Sequence, residues 1–226
     1  MSYLRDVLIK KEQVVKQNCS ETQQGTYVPL SCLLDEMISE LNADVTGNLT
    51  GSVTGGGTAG TVGTGVTQNV VSLGNKRIVE LTLTNVNTGT IAGAGAEDQG
   101  VLIYTLPAGD IQVHPTSIAN IALTNTDGNI DADTPQIGVG TTVATGTDGS
   151  LNVGTEYEIL NNGGGAAAVA PNITGTSIQL YSQTASGFIP SASAHTLYLN
   201  VAHTWAGAES TGVVANGKIY LEFTIL

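Results

Sequence analysis

Residues 44–65 read DVTG-NLTG-SVTG and then GGTAGTVGTG, so the unit x-Val/Leu-Thr-Gly occurs three times before a glycine–threonine run. Threonine and valine favour extended backbone, and the glycines allow turns or close chain approach. The tract is too rich in glycine for a helix. Ordering each residue costs ~1–2 kcal/mol, while one buried valine per four residues returns only ~1.5–3 kcal/mol. A lone chain does not fix such a segment, so neighbours are expected to order it. Fully extended, Asp44 to Gln68 reaches at most about 80 Å, which suits an arm crossing a surface or three chains wound together.

The tract divides the chain into three parts: a helical anchoring and oligomerisation arm over residues 1–43, the extended V-T-G tract over 44–75, and a β-sandwich domain over 76–226. In the arm, Leu4, Val7, Leu8, Val14 and Val15 lie near one helical face. Residues 18–29 read as a loop. Leu30, Leu34, Met37 and Leu41 follow at spacings of 4, 3 and 4, an a/d seam, with Ser31 as N-cap and Leu33 and Ile38 widening the stripe. So short a helix is marginal alone, so the seam needs a partner: a second copy, another protein or its own β domain. Leu4, Leu8, Leu30, Leu34, Met37 and Leu41, continued by Val45, Leu49 and Val53, form the expected oligomer or anchor interface. Cys19 and Cys32 lack the count and spacing of a zinc site and are read as free thiols, with a disulfide as the alternative.

Beyond Asn75 the period changes to two. Residues 78–86 alternate, with Val79, Leu81 and Leu83 on one face and Glu80, Thr82 and Thr84 on the other. Further strands are expected at 101–107, 116–124, 137–144, 155–160, 177–184, 195–203 and 218–226, the last with Ile219, Leu221, Phe223 and Ile225 on one face. Residues 87–100 and 161–176 read as glycine- and alanine-rich loops. About eight strands with Gly/Asn/Asp turns predict an all-β fold, a β-sandwich of jelly-roll type, with a closed barrel as second choice. No helix of useful length follows residue 70, which argues against α/β folds.

Charge narrows the function classes. The net charge is −12, and four of the seven basic residues (Arg5, Lys10, Lys11 and Lys16) lie in the first sixteen positions. An acidic β domain does not bind nucleic acid by neutralising phosphates, and an anionic membrane surface repels it. No stretch approaches ~18 consecutive apolar residues, and the N-terminus lacks the h-region of a signal peptide. Synthesis in a cytoplasm is expected.

The motifs of catalysis are missing: there is no G-x-S-x-G, no H-E-x-x-H and no phosphate loop with its lysine. Gly138–Gly140 matches G-x-G by chance and leads into threonines. His114, His195 and His203 are scattered, the last two on one strand face and far apart. Glu156 and Glu158 fall on one face of an expected strand, as an acid–base pair of carboxylates could, yet Trp205 is the single tryptophan and no sugar-stacking cluster accompanies them. Asp127, Asn129, Asp131 and Asp133 occupy every second position, as at the start of a calcium loop. Ala132 then stands where the turn glycine belongs and Gly138 where the closing glutamate would be, so a solvated Asx-rich turn is the competing reading. No enzyme activity and no cofactor are expected.

A polar helical arm, a V-T-G repeat with NLTGSVTG at its centre, and a Thr/Gly-rich, aromatic-poor β domain ending in a long strand resemble bacteriophage virion proteins, in particular capsid decoration (cement) proteins and head fibres. The resemblance implies a structural protein on the capsid surface that strengthens the lattice by burying surface across subunits. Its partners would be itself, as a homotrimer, and the major capsid protein, with no nucleic acid and no membrane. A tail-fibre or spike component whose β domain reads a host glycan or receptor through loops 87–100 and 161–176 is the alternative. A carbohydrate-active enzyme or lectin is a third class.

Overall fold

The computed structural model describes residues 60–182, 187–189 and 195–226. The chain divides between Thr54 and Gly55, and all described residues lie in the second unit. The expected helices, the interface residues Leu4 to Val53 and both cysteines lie outside the described residues.

The described residues form twelve strands and one short 3-10 turn. The strands are β1 (Thr61–Val62), β2 (Val66–Leu73), β3 (Lys76–Asn87), β4 (Gly95–Thr105), β5 (Ile111–Val113), β6 (Ile118–Thr124), β7 (Gln136–Gly140), β8 (Ala168–Val169), β9 (Thr174–Tyr181), β10 (Gly187–Ile189), β11 (Thr196–Trp205) and β12 (Val214–Ile225). One sheet, sheet A, runs β1-β4-β11-β7-β8. In sheet B, β2 and β3 lie on one side of β12. On its other side β5 and β6 share one strand position, with β10 and β9 beyond them.

The pairing is nested. β3 pairs with β12, β4 with β11, β6 with β9 and β5 with β10, and β7 with β8, all antiparallel. A long two-stranded ribbon with its tip at β7 and β8 has been rolled so that its two ends sit side by side. That is the jelly-roll arrangement, and β1 and β2 extend it by one strand on the same margin of each sheet. Two separate sheets with free edges replace the closed barrel.

Alternation is the cause of the sandwich. Val79, Leu81 and Leu83 of β3 and Ile219, Leu221 and Phe223 of β12 are buried, and they join Ile137, Leu199 and Val201 of sheet A in one core. Each such side chain contributes roughly 1.5–3 kcal/mol on burial. Ile103 and Tyr104 are consecutive and both buried, because a bulge in β4 opposite Leu197/Tyr198 turns both inward.

Several boundaries differ from the sequence reading. The β domain takes in residues assigned to the extended tract. β1 pairs Thr61 with Thr105 and Val62 with Tyr104, the Gly60 amide donates to the Tyr104 hydroxyl at 3.0 Å, and β2 forms a hairpin with β3. Residues 60–65 are therefore ordered by their own domain, where neighbouring chains had been expected to do this; residues 44–59 lie outside the described residues. β2 escaped notice because valines and polar residues occupy both of its faces, which hides the period of two. β4 starts at Gly95, inside the expected loop 87–100, because ten residues of β11 supply its ladder. The strand expected over 137–144 stops at Gly140, and 155–160 forms a 3-10 turn (Gly154–Glu156) and an isolated bridge from Leu160 to Val139.

Candidate functional site

Residues 141–160 fold back across the outer face of sheet A. The cross-strand row Gly100–Asn200–Gly138 makes this possible. A Cβ at Gly138 would lie 2.4 Å from the Cβ of Tyr157, and one at Gly140 would lie 2.2 Å from the Thr155 carbonyl oxygen. The glycines read as a chance phosphate-loop match are thus sites of close chain approach. Asn200, flanked by apolar residues in LYLNVAH, is fully buried beneath the loop. Its Oδ1 accepts from the Ala144 amide at 3.0 Å, and its Nδ2 donates to the Thr142 and Glu156 carbonyls at 2.9 and 2.7 Å. One row further along, Asp98 Oδ1 accepts from the Gly149 amide at 2.8 Å and Gln136 Oε1 from the Leu151 amide at 2.7 Å. Ala144, Leu151 and Ala202 close a second, small core between loop and sheet.

Glu156 and Glu158 belong to this cover, on no common strand face. Glu156 accepts from the Val153 amide at 3.0 Å and caps its own 3-10 turn. Glu158 Oε1 accepts from the Thr141 amide at 3.0 Å and from its hydroxyl, while Oε2 is buried without a partner among the described residues. Burial pushes the Glu158 carboxyl above its ordinary range, with the Thr141 donors opposing. Burial likewise raises Asp98, against the Gly149 amide. The two glutamates face separate backbone donors, the Val153 and Thr141 amides.

At one end of the sandwich three connections meet around Glu209. Its backbone exchanges hydrogen bonds of 3.0 Å in both directions with Ile91. Its fully buried carboxylate accepts from the Thr126 amide and hydroxyl at 3.3 and 3.2 Å, from the Asp127 amide at 3.1 Å and from the Thr211 hydroxyl at 3.0 Å. The four calcium candidates line this junction without converging. Asp127 Oδ2 accepts from the Ser210 amide and hydroxyl at 3.1 and 2.9 Å, which holds its carboxyl below the usual range. Asn129 Nδ2 donates to the Ala208 carbonyl at 3.0 Å, and Asp131 Oδ1 accepts from Asn125 Nδ2 at 3.0 Å. Asp133 Oδ2 accepts from the Ala206 amide at 2.9 Å, with its Oδ1 3.7 Å from His203 Nε2. Residues 127–133 run through turns, so alternate side chains do not share a face, and each is turned to a donor or acceptor of its own. Among the described residues no three His, Cys, Asp or Glu side chains gather as a metal site.

The histidines stand apart: His114 Nε2 is 2.8 Å from Thr224 Oγ1, and His203 meets Trp205 edge to face at 5.4 Å between ring centroids. Sequence reasoning missed Asn200, Glu209, Asp98 and Gln136. The signal for Asn200 was an amide inside an otherwise apolar strand, whereas nothing local marks Glu209.

The outer face of sheet B is open. Asn69, Glu80, Tyr220, Ile118 and Tyr181 form one row across β2, β3, β12, β6 and β9. Tyr220 is 39% and Tyr181 43% exposed. Lys218 Nζ lies 2.8 Å from Glu80, and this ammonium, with the Tyr220 hydroxyl, holds the Glu80 carboxyl below its ordinary value. Beside the row is a shallow depression of about 400 Å³ lined by Asn120, Ala122, Ser177, Asn216, Gly217, Lys218 and Tyr220. It offers amides, a hydroxyl and an aromatic ring, with its one ammonium already paired.

Among the described residues no helix is long and apolar enough to cross a membrane. The chain matches no protein-family profile and no curated protein. A solved structure of arabinose-bound MgGH51 α-L-arabinofuranosidase is similar over 73% of this chain and 23% of that one, at 13% identity and a TM-score of 0.31. At that level the likeness carries no argument about activity.

Proposed function

We propose that the chain is a structural virion protein that decorates a phage capsid and stabilises it by burying surface between subunits, without catalysis. The observation that supports this reading is where the polar groups go. The buried side chains of Asn200, Glu209, Asp98 and Asp133 accept from or donate to the sandwich's own loops, so polarity is used to brace a rigid body. A jelly roll braced in this way suits a load-bearing surface. The helical arm and V-T-G tract would supply self-association, as a homotrimer, and the attachment to the major capsid protein. Purified virions are expected to contain the protein at near-lattice stoichiometry, and particles stripped of it should lose capsid heat resistance. A few copies per particle, confined to the tail, would reject this function.

One observation favours a second reading, a fibre or spike component that binds a glycan. The row Tyr220–Ile118–Tyr181, with both tyrosines exposed, beside a shallow depression carrying Asn120, Asn216 and Ser177 provides rings and amides for sugar contact. It moves the expected reader from loops 87–100 and 161–176 to the face of sheet B. Glycan-array binding that is lost in Tyr220→Ala would support it, and a blank array removes it.

A further inference from the structure

Sheet margins expose unpaired backbone groups, and proteins guard them with short strands, bulges, charges, prolines or covering loops. Four of the marginal strands are guarded. β1 and β8 have two residues each and β10 has three. β9 carries Gly175 at φ +88° and a register shift near its start, and at its end Tyr181 bonds in both directions to Asn161. Among the described residues β2 has none of these devices. It runs eight residues, VTQNVVSL, with unbroken register against β3, no charge and no proline.

The side on which its backbone groups point follows from the ladder. Thr84 N donates to Gly65 O at 2.8 Å, and Ile225 N donates to Asn75 O at 3.0 Å from the far side of β3. Even-numbered residues of β3 therefore bond to odd-numbered residues of β2. The amides and carbonyls of the even-numbered residues of β2 point away from β3. The Val66 amide turns back to Gly63 O at 3.2 Å. The amides and carbonyls of Gln68, Val70 and Ser72 have no backbone partner among the described residues, and they are centred on Val70.

We propose that β2 is a self-association edge, pairing antiparallel with β2 of a second copy about a two-fold axis through Val70. In that register Val70 faces Val70 and Gln68 faces Ser72, so every outward amide meets an outward carbonyl. An interface of this kind is its own complement. On the outer face Val71, 37% exposed, comes opposite Asn69, and Leu73, 57% exposed, opposite Thr67. Charge favours a copy as the occupant. On a chain of net charge −12, β2 carries none, and of the β3 charges across from it Lys76 and Glu80 are paired with Glu222 and Lys218, while Arg77, opposite Ser72, is buried with its guanidinium on the Gly74 and Lys76 carbonyls. The two copies would join their B sheets into one. This pairing is independent of the capsid reading, and its test needs no virion.

Val70→Pro deletes one outward amide and leaves the ladder to β3 intact, since proline is tolerated on an edge. In light scattering the full-length variant should have half the wild-type mass, with an unchanged circular dichroism spectrum and melting temperature. Equal masses for wild type and folded variant overturn the proposal. Should the proline disturb folding, Val71→Lys sets two ammonium groups beside the axis and should also halve the mass; no change with that variant overturns it equally. Hydrogen exchange on the wild type should slow at Gln68, Val70 and Ser72 as concentration rises. Fast exchange at all concentrations, or protection in a concentration-independent monomer, which would place a segment of the same chain on the edge, refutes it.

Discussion

The two outer faces of this sandwich have opposite fates. On sheet A, residues 141–160 lie over the sheet, Asn200 is fully buried, and Ala144, Leu151 and Ala202 make a second core. On sheet B, tyrosines, threonines and a Lys218–Glu80 pair remain in solvent. Both sheets have the same antiparallel ladders and share one central core, so backbone pairing does not decide the difference. Side-chain volume on the outer row does. Gly100 and Gly138 flank Asn200 and leave room for a second backbone, and the asparagine then satisfies three of that backbone's groups. On sheet B the corresponding positions carry Thr82, Lys218 and Asn120, whose side chains would hold a covering loop away. One face has become interior, and the other has been left for solvent or a partner.

The largest effect that would break this contrast is expected at Asn200. Asn200→Ala leaves the Ala144 amide and the Thr142 and Glu156 carbonyls unpaired under the loop, which should cost about 3–4 kcal/mol in urea unfolding. A loss below about 1 kcal/mol would mean that the loop is held by something else. Gly138→Ala comes next. Its new methyl meets Tyr157, and a cost of about 2–3 kcal/mol, a fall in melting temperature of roughly 4–12 °C, is expected. Thr82→Ala is the matched change on the open face and should stay within about 0.5 kcal/mol; a large loss there would show that the face is not free.

The smallest effect concerns pH. Burial raises the Glu158 carboxyl, so ionising it disfavours the folded state. The stability it contributes is complete below the ordinary glutamate value of about 4.3 and is lost as pH rises through the higher folded value. Glu158→Gln should remove that part of the decline, which urea midpoints across this range would detect. Asp127 has the opposite sign: lowered by the Ser210 donors, its contribution is present above about 3.9 and is lost as pH falls through its lower folded value. Midpoints for Glu158→Gln that run parallel to wild type would contradict the buried position of Glu158.

Long alternating segments were legible because one period fixes both element and face. The strands β3 and β12 and their buried faces were read directly from Val79 and Phe223 and their neighbours. The candidate sites were much less legible. Asp127, Asn129, Asp131 and Asp133 look like a ligand series when written in line, but turns send Asp127, Asn129 and Asp133 to separate partners on the loop after β11 and Asp131 to Asn125. Glu156 and Glu158 look like a pair on a strand, yet the segment that carries them is a cover whose shape comes from the glycines beneath it.

The sequence by itself determined an all-β sandwich of jelly-roll type and the faces of β3 and β12, because burial of every second side chain is a local rule. Which faces were covered, where the extended tract became strand, and which carboxylates were spent on backbone donors were decided only by the tertiary structure. Those outcomes depend on contacts between residues far apart in the chain, Gly138 with Tyr157, Gly60 with Tyr104 and Asp127 with Ser210. The energies of such contacts are set by close approach and hydrogen-bond partners in space, and no window of sequence contains both ends of them.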